Sequence, residues 1–237
     1  MNQENQEIIG ITPLIKHADD GLTPEELVGM KRHLAEKLQE LSALADTTSL
    51  HHARLQMDIA EILNALDRKN EAWDIAREAF QISMQQESWP DAVEACDVLF
   101  QARQEDSMPA LGMGIWLAVA FPVDPELTVA MLIHLVDETS DASDAGALAA
   151  ITARYVVDLR AADDKHENLC FLVDNVIAMV AKRHSNVQDQ DAMSRWLDRL
   201  ELRDPQVFLP RLSREVDAIV RGKWWFDRDE LRRRLPD

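Results

Sequence analysis

The chain has 237 residues, 43 acidic and 25 basic, for a formal net charge of −18. A surface this acidic repels phosphate backbones, so a nucleic-acid binder is excluded. With 46% hydrophobic residues and only seven glycines, the chain is neither disordered nor fibrous, and at this length it buries enough surface to need no disulfide or metal staple.

Residues 1–21 hold apolar pieces (Ile8, Ile9, Ile11, Leu14, Ile15) without a helical period, and read as a loose N-terminal arm. Met1 to Glu7 is polar and acidic and lacks the basic start and apolar core of a signal peptide. Thr23-Pro24-Glu25-Glu26 is a helix start: a hydroxyl cap, proline at the first helical position, then acids in the first turn. Leu27, Met30, Leu34, Leu38, Leu41 and Ala45 then recur every three or four residues, which predicts an amphipathic helix. A second helix follows Ser49, with Leu55, Ile59, Ile62, Leu63 and Leu66 on one side. Past the turn at Asp67–Asn70, a third carries Ala72, Trp73, Ala76, Ala79 and Phe80. Pro90 opens a fourth, with Ala92, Cys96, Leu99 and Phe100.

The fifth predicted helix, Pro109 to Phe121, is apolar nearly all round. It is shorter than the roughly 20 residues a bilayer span takes, so it reads as a helix buried on all sides. Asp124-Pro125-Glu126 opens a sixth that is apolar over most of its faces, and helices five and six are expected to be the most buried. Asp137 to Gly146 is an acidic link. A seventh helix carries Leu148, Ile151, Tyr155, Val156 and Leu159, and an eighth begins near Asp163 and ends in Lys182, Arg183 and His184. The ninth begins near Asp189, Pro205 and Pro210 bracket a break, and the tenth runs through Leu212, Val216 and Val220 to a stop at Gly222. Asp227 starts a last short basic helix.

The fold class expected is therefore all-α: about ten helices as antiparallel hairpins in a compact α-α superhelix or bundle, above roughly 65% helix and with no sheet. Residues 22–221 form one domain, flanked by the arm and by an aromatic and basic C-terminal segment, 222–237. Helix pairs at this spacing bring in a family resemblance. Over Arg54 to Met84, Ala60 can stand at the small position of a first helix, Leu63 at its large position, and Ala72 and Ala79 at the small positions of a second. Ala95, Ser107 and Gly114 repeat the small positions with a one-residue slip. In these positions residues 54–114 resemble tetratricopeptide repeats. The sequence departs from that pattern at Asp67, where the family usually has glycine, at Met84, where it has proline, and at Glu26, which would fall on a small position. The resemblance implies a right-handed superhelix with a concave, peptide-binding face, and assigns no binding residue.

Chemistry-bearing motifs are few. His166, Cys170 and Asp174 lie at i, i+4 and i+8 along one helix face, but nothing supplies the further ligands of a zinc site. His51 and His52 diverge by about 100° on a helix and do not converge on one ion. His134, on an otherwise apolar helix, reads as a buried histidine with one hydrogen-bond partner. No phosphate loop, Gly-x-Ser-x-Gly or Cys-x-x-Cys occurs. Gly112 and Gly114 instead let a neighbouring helix come close, and Cys96 and Cys170 read as small buried hydrophobes. No cofactor, metal or catalytic residue is assigned.

Charge is uneven. From Arg195 onward there are eleven basic and nine acidic residues, so the acidity lies in the body. The functional expectation is a cytoplasmic, non-enzymatic adaptor, assembly chaperone or accessory subunit that contacts another protein, one with a basic surface, without membrane contact; a symmetric homodimer is a further expectation. The alternative is a helical enzyme or a ligand- or metal-binding bundle with a pocket near His134 or His166. Trp224, Trp225 and Phe226, followed by Arg232, Arg233 and Arg234, are the candidate partner-binding residues, because consecutive aromatics on a terminus do not easily all face one core. Their other reading is a plug that closes the end of the array while the arginines answer the acidic body.

Overall fold

The Thr23 side chain accepts the Glu26 amide while the Glu26 carboxylate accepts the Thr23 amide at 2.9 Å, a reciprocal cap that opens α1, Pro24–Ala43. The computed structural model describes residues 22–235; the expected arm at 1–21 lies outside them. After α1 come α2 (Leu50–Ala65), α3 (Lys69–Gln85), α4 (Trp89–Gln101), α5 (Ser107–Ala120) and α6 (Pro125–Asp137). They are followed by α7 (Asp144–Arg160), α8 (Asp163–Ser185), α9 (Gln190–Arg199), α10 (Pro205–Val220) and α11 (Arg228–Arg233). The structure is 77% helical, with no strand among the described residues.

Links of two to seven residues force successive helices to double back. Each of α1 to α7 packs on the next, and α2 meets α4, α4 meets α6 and α6 meets α8. The even-numbered helices thus form one row, with α3, α5 and α7 behind it. α10 closes the far side by lying against α5 and α7.

That sandwich explains why α5 is apolar all round. Gly114 faces the even row, and a Cβ there would sit 2.7 Å from the Cys96 Cβ of α4 and also strike Met131 of α6. Gly112, on the opposite side, would place a Cβ 2.6 Å from Val220 and 2.9 Å from Ile219 of α10. Both glycines mark close helix approaches. The expectation that α5 and α6 are the most buried helices does not hold for α6, since α4, of the same length, buries more of its residues. Leu127, Ala130, Ile133 and His134 of α6 are only half-buried, because α10 covers α5 and α7 and leaves α6 with an open face.

Three helix bounds also differ from the sequence reading. Pro210 lies inside α10. Pro205 starts that helix, and the one bond Pro210 removes would have gone to Gln206, where both residues are exposed and water can serve the carbonyl. Gly146 belongs to α7, which Ser143 caps by accepting the Ala145 amide; Thr139 and Arg183 occupy the space a side chain would need. α5 begins at Ser107, whose hydroxyl bonds back to the Leu99 carbonyl at 2.8 Å.

Helix C-termini are closed by side chains from elsewhere in the chain, a device periodicity does not show. Arg160 donates to the Ala118 and Val119 carbonyls at the end of α5, both at 2.7 Å. Arg183 donates to Val136 at the end of α6, and Asn64 to Val98 in α4. Arg160 serves carbonyls of the last turn of α5, whereas Val98 and Val136 also accept the Ala102 and Thr139 amides, so the side chains there add a second bond.

Candidate functional site

The even row carries a stripe of acids. On α4, Asp91, Glu94 and Asp97 recur every three residues; on α2, Asp58 and Glu61 stand one turn apart. Because α2 lies beside α4, the two stripes merge, and the charges of Asp58, Glu94 and Asp97 all act on Glu61. Two of the acids have cationic partners and a third lies beside a histidine. Asp58 meets Lys37 of α1 at 2.7 Å. Asp91 takes a two-pronged contact from Arg54 at 2.8 and 3.0 Å. Asp97 lies 3.0 Å from His134 Nε2 of α6. Burial raises the Asp91 carboxyl, but the Arg54 and Ser88 hydrogen bonds outweigh it and hold the group below its ordinary range.

Glu61 and Glu94 have no hydrogen-bond or ion-pair partner among the described residues. Both keep open contact with water, yet the protein around them and the neighbouring carboxylates oppose their ionisation. Burial first, then the charges of Glu94, Asp58 and Asp97, push the Glu61 carboxyl up to about 7. Glu94 is raised by burial first and then by the charge of Asp91, with Asp58 and Asp97 adding to it and Arg54 partly offsetting it. What the arrangement offers chemically is negative charge that internal cations have not neutralised.

This surface has a stability signature. Glu61 binds its proton more tightly folded than unfolded, so between about pH 4.5 and 7 the folded chain holds more protons and stability falls as pH rises. Glu61→Gln removes that slope. The expected result is a variant that melts higher than wild type at pH 8 and equally at pH 4, read by thermal denaturation across pH. Its acidic neighbours were within reach of sequence reading only as ordinary solvated faces, because the register of α2 against α4 depends on packing.

The candidate C-terminal residues lie elsewhere. All three rings are half-buried and turn back onto α3 and α5. Trp225 packs edge-on against Phe80 at 5.3 Å and Trp73 at 6.0 Å, with the Arg77 guanidinium 3.8 Å over its ring. Phe226 and Trp224 both meet Trp116, at 5.8 and 6.0 Å. Arg234 reaches Glu87 at 2.6 Å and Lys223 reaches Asp106 at 2.5 Å, tying the basic end to the acidic body. Arg232 lines a cleft of about 540 Å³ between α5 and α10, with Trp116, Leu209 and Leu235, and Arg233 pairs with Glu230 on its own helix.

The remaining candidates sort by contact. His134 is half-buried, with its Nε2 3.0 Å from an Asp97 carboxylate oxygen. Cys96 is fully buried, and burial pushes its thiol up; Cys170 is only half-buried, beside His166. Asp174, expected with that pair, instead meets Arg154 at 3.1 Å, and Asp158 of α7 takes its place. No family model matches this chain, and comparisons with curated proteins and with solved structures found no significant relative. Among the described residues, no helix is long and apolar enough to cross a membrane.

Proposed function

We propose that this protein is a non-enzymatic helical adaptor whose acidic face on α2, α4 and α6 receives a basic segment of another protein. The observation that carries this reading is the pair of unpartnered carboxylates, Glu61 and Glu94, in a face where Asp58 and Asp91 already have cations and Asp97 lies beside His134. Their ionisation is opposed by the site itself, so a lysine or arginine side chain placed there relieves a repulsion as well as forming an ion pair. Half-buried Leu127 and Ile133 on α6 put apolar surface on the same row.

The helical-repeat resemblance supports the reading from a separate direction. Ala60, Ala72 and Ala79, its small positions, are each fully enclosed. Asp67, standing where that family places glycine, has φ 58, the left-handed geometry glycine favours. The resemblance implies a concave, peptide-binding face, and α2, α4 and α6 form one continuous row on which such a segment can lie.

Titrating a fluorescent arginine- and lysine-rich peptide into the full chain tests the proposal. The expected result is saturable, salt-sensitive binding, weakened at least about tenfold, roughly 1.4 kcal/mol, in the triple variant Glu61→Gln, Glu94→Gln, Asp97→Asn. Equal binding by that variant, or equal binding of an acidic peptide, overturns the proposal.

A further inference from the structure

A second cluster, separate from the acidic face, lies where α7 hands over to α8. His166 and Cys170 stand one turn apart on the same side of α8, and Asp158 comes from the last turns of α7. One ligand atom from each lies within 4.8 Å of the other two. His166 Nε2 is 3.1 Å from Asp158 Oδ1, and Cys170 Sγ is 3.5 Å from Nδ1 and 3.6 Å from Nε2 of the same ring.

Those separations have a chemical meaning. Zinc bonds run about 2.0–2.2 Å to nitrogen or oxygen and about 2.3 Å to sulfur, so the edges of a zinc tetrahedron are about 3.3 Å for N···O and about 3.5 Å for N···S. Two of the three separations match such edges, and because Sγ lies level with both ring nitrogens, a turn of the His166 ring brings Nε2 and Sγ onto one ion. We propose that Asp158, His166 and Cys170 form a zinc-binding site, with water in the fourth position.

Charge supports the assignment. Binding releases the Cys170 proton to solvent, and the thiolate and the Asp158 carboxylate together neutralise the dication. Arg154, which bonds Asp158, does not face a bare positive ion. It bonds the same Asp158 oxygen that faces His166, and it has a second carboxylate, Asp174, at 3.1 Å to turn to when an ion takes that oxygen. The His166 and Asp158 side chains are 39% and 50% exposed, which leaves the ion an entry path. The sequence reading assigned no metal because the third ligand comes from α7, eight residues before His166, and Asp174 occupies the expected helical position instead.

The test uses cobalt(II) as a coloured stand-in for zinc, added to the metal-free full-length chain. Expected is one bound ion per chain, with a thiolate-to-cobalt charge-transfer band and the intense visible bands of four-coordinate cobalt, both bleached by zinc. Cys170→Ser should abolish the charge-transfer band, and His166→Gln should weaken binding at least about tenfold. A thiol reagent gives an independent readout. Cys96 is fully buried, so Cys170 is the one accessible thiol, and zinc should slow its modification in wild type but not in His166→Gln, a substitution at a partly exposed position that keeps the fold. Absence of a thiolate band, six-coordinate cobalt, or thiol protection that persists in His166→Gln would overturn the site.

Discussion

Trp225→Ala is expected to be the most destabilising change at the C-terminus. Its ring fills the space between Trp73 and Phe80 and covers the Arg77 guanidinium. Arg77 has no carboxylate within ion-pair distance among the described residues, and its Nη1 is buried without a hydrogen-bond partner. Burial already holds that guanidinium below its ordinary range. Truncating the ring removes apolar contact and a cation–π interaction together. The combined loss is about 3 kcal/mol, or roughly 6–12 °C in melting temperature for a chain of this size. Trp224 shares Trp116 with Phe226 and leans on Arg228 rather than on Arg77, so Trp224→Ala should cost less. Differential scanning calorimetry of both variants checks the order. Equal stability of Trp225→Ala and wild type would mean the rings are free to serve as an anchor.

Gly114→Ala should destabilise by about 2 kcal/mol, although alanine is the better helix former by about 1 kcal/mol. Met131 ends in a flexible methyl and can yield, but the Cys96 Cβ is fixed to its backbone, so α4 and α5 must separate. Gly29 of α1 has nothing within 4 Å of its would-be Cβ. Gly29→Ala should therefore stabilise by about 0.5–1 kcal/mol. The same substitution with opposite signs, read by chemical denaturation, separates helix propensity from packing. A stabilising Gly114→Ala would remove the argument for close approach at the centre of the array.

Much of the helical order was legible because its signals are local. Thr23, Ser49, Asp124, Asp189 and Asp227 all cap the helices whose starts they mark. The all-round apolarity of α5 predicted burial on all sides; the structure encloses it on two, and Trp116, Val119 and Ala120 stay half-buried. α6 looked similar in composition, but what distinguishes them is the placement of α10, about 100 residues later in the chain. Pro210 looked like a break because the solvent that rescues its lost bond is a tertiary fact. The candidate site was the least legible. Asp58, Glu61, Glu94 and Asp97 have the spacing of any solvated helix face, and only the adjacency of α2 and α4 merges them. In the same way Asp158 is an ordinary exposed acid until α7 and α8 pair.

The most direct test of the acidic face is the proton it should release. Glu61 is about half protonated near pH 7, and a bound cation favours its ionised form. Calorimetric titration of the basic peptide at pH 7, in two buffers of different ionisation enthalpy, counts protons given up on binding. Net proton release in wild type, lost in Glu61→Gln, is the predicted result. Binding with no proton release, or release unchanged in Glu61→Gln, would contradict the assignment of this face as the partner site.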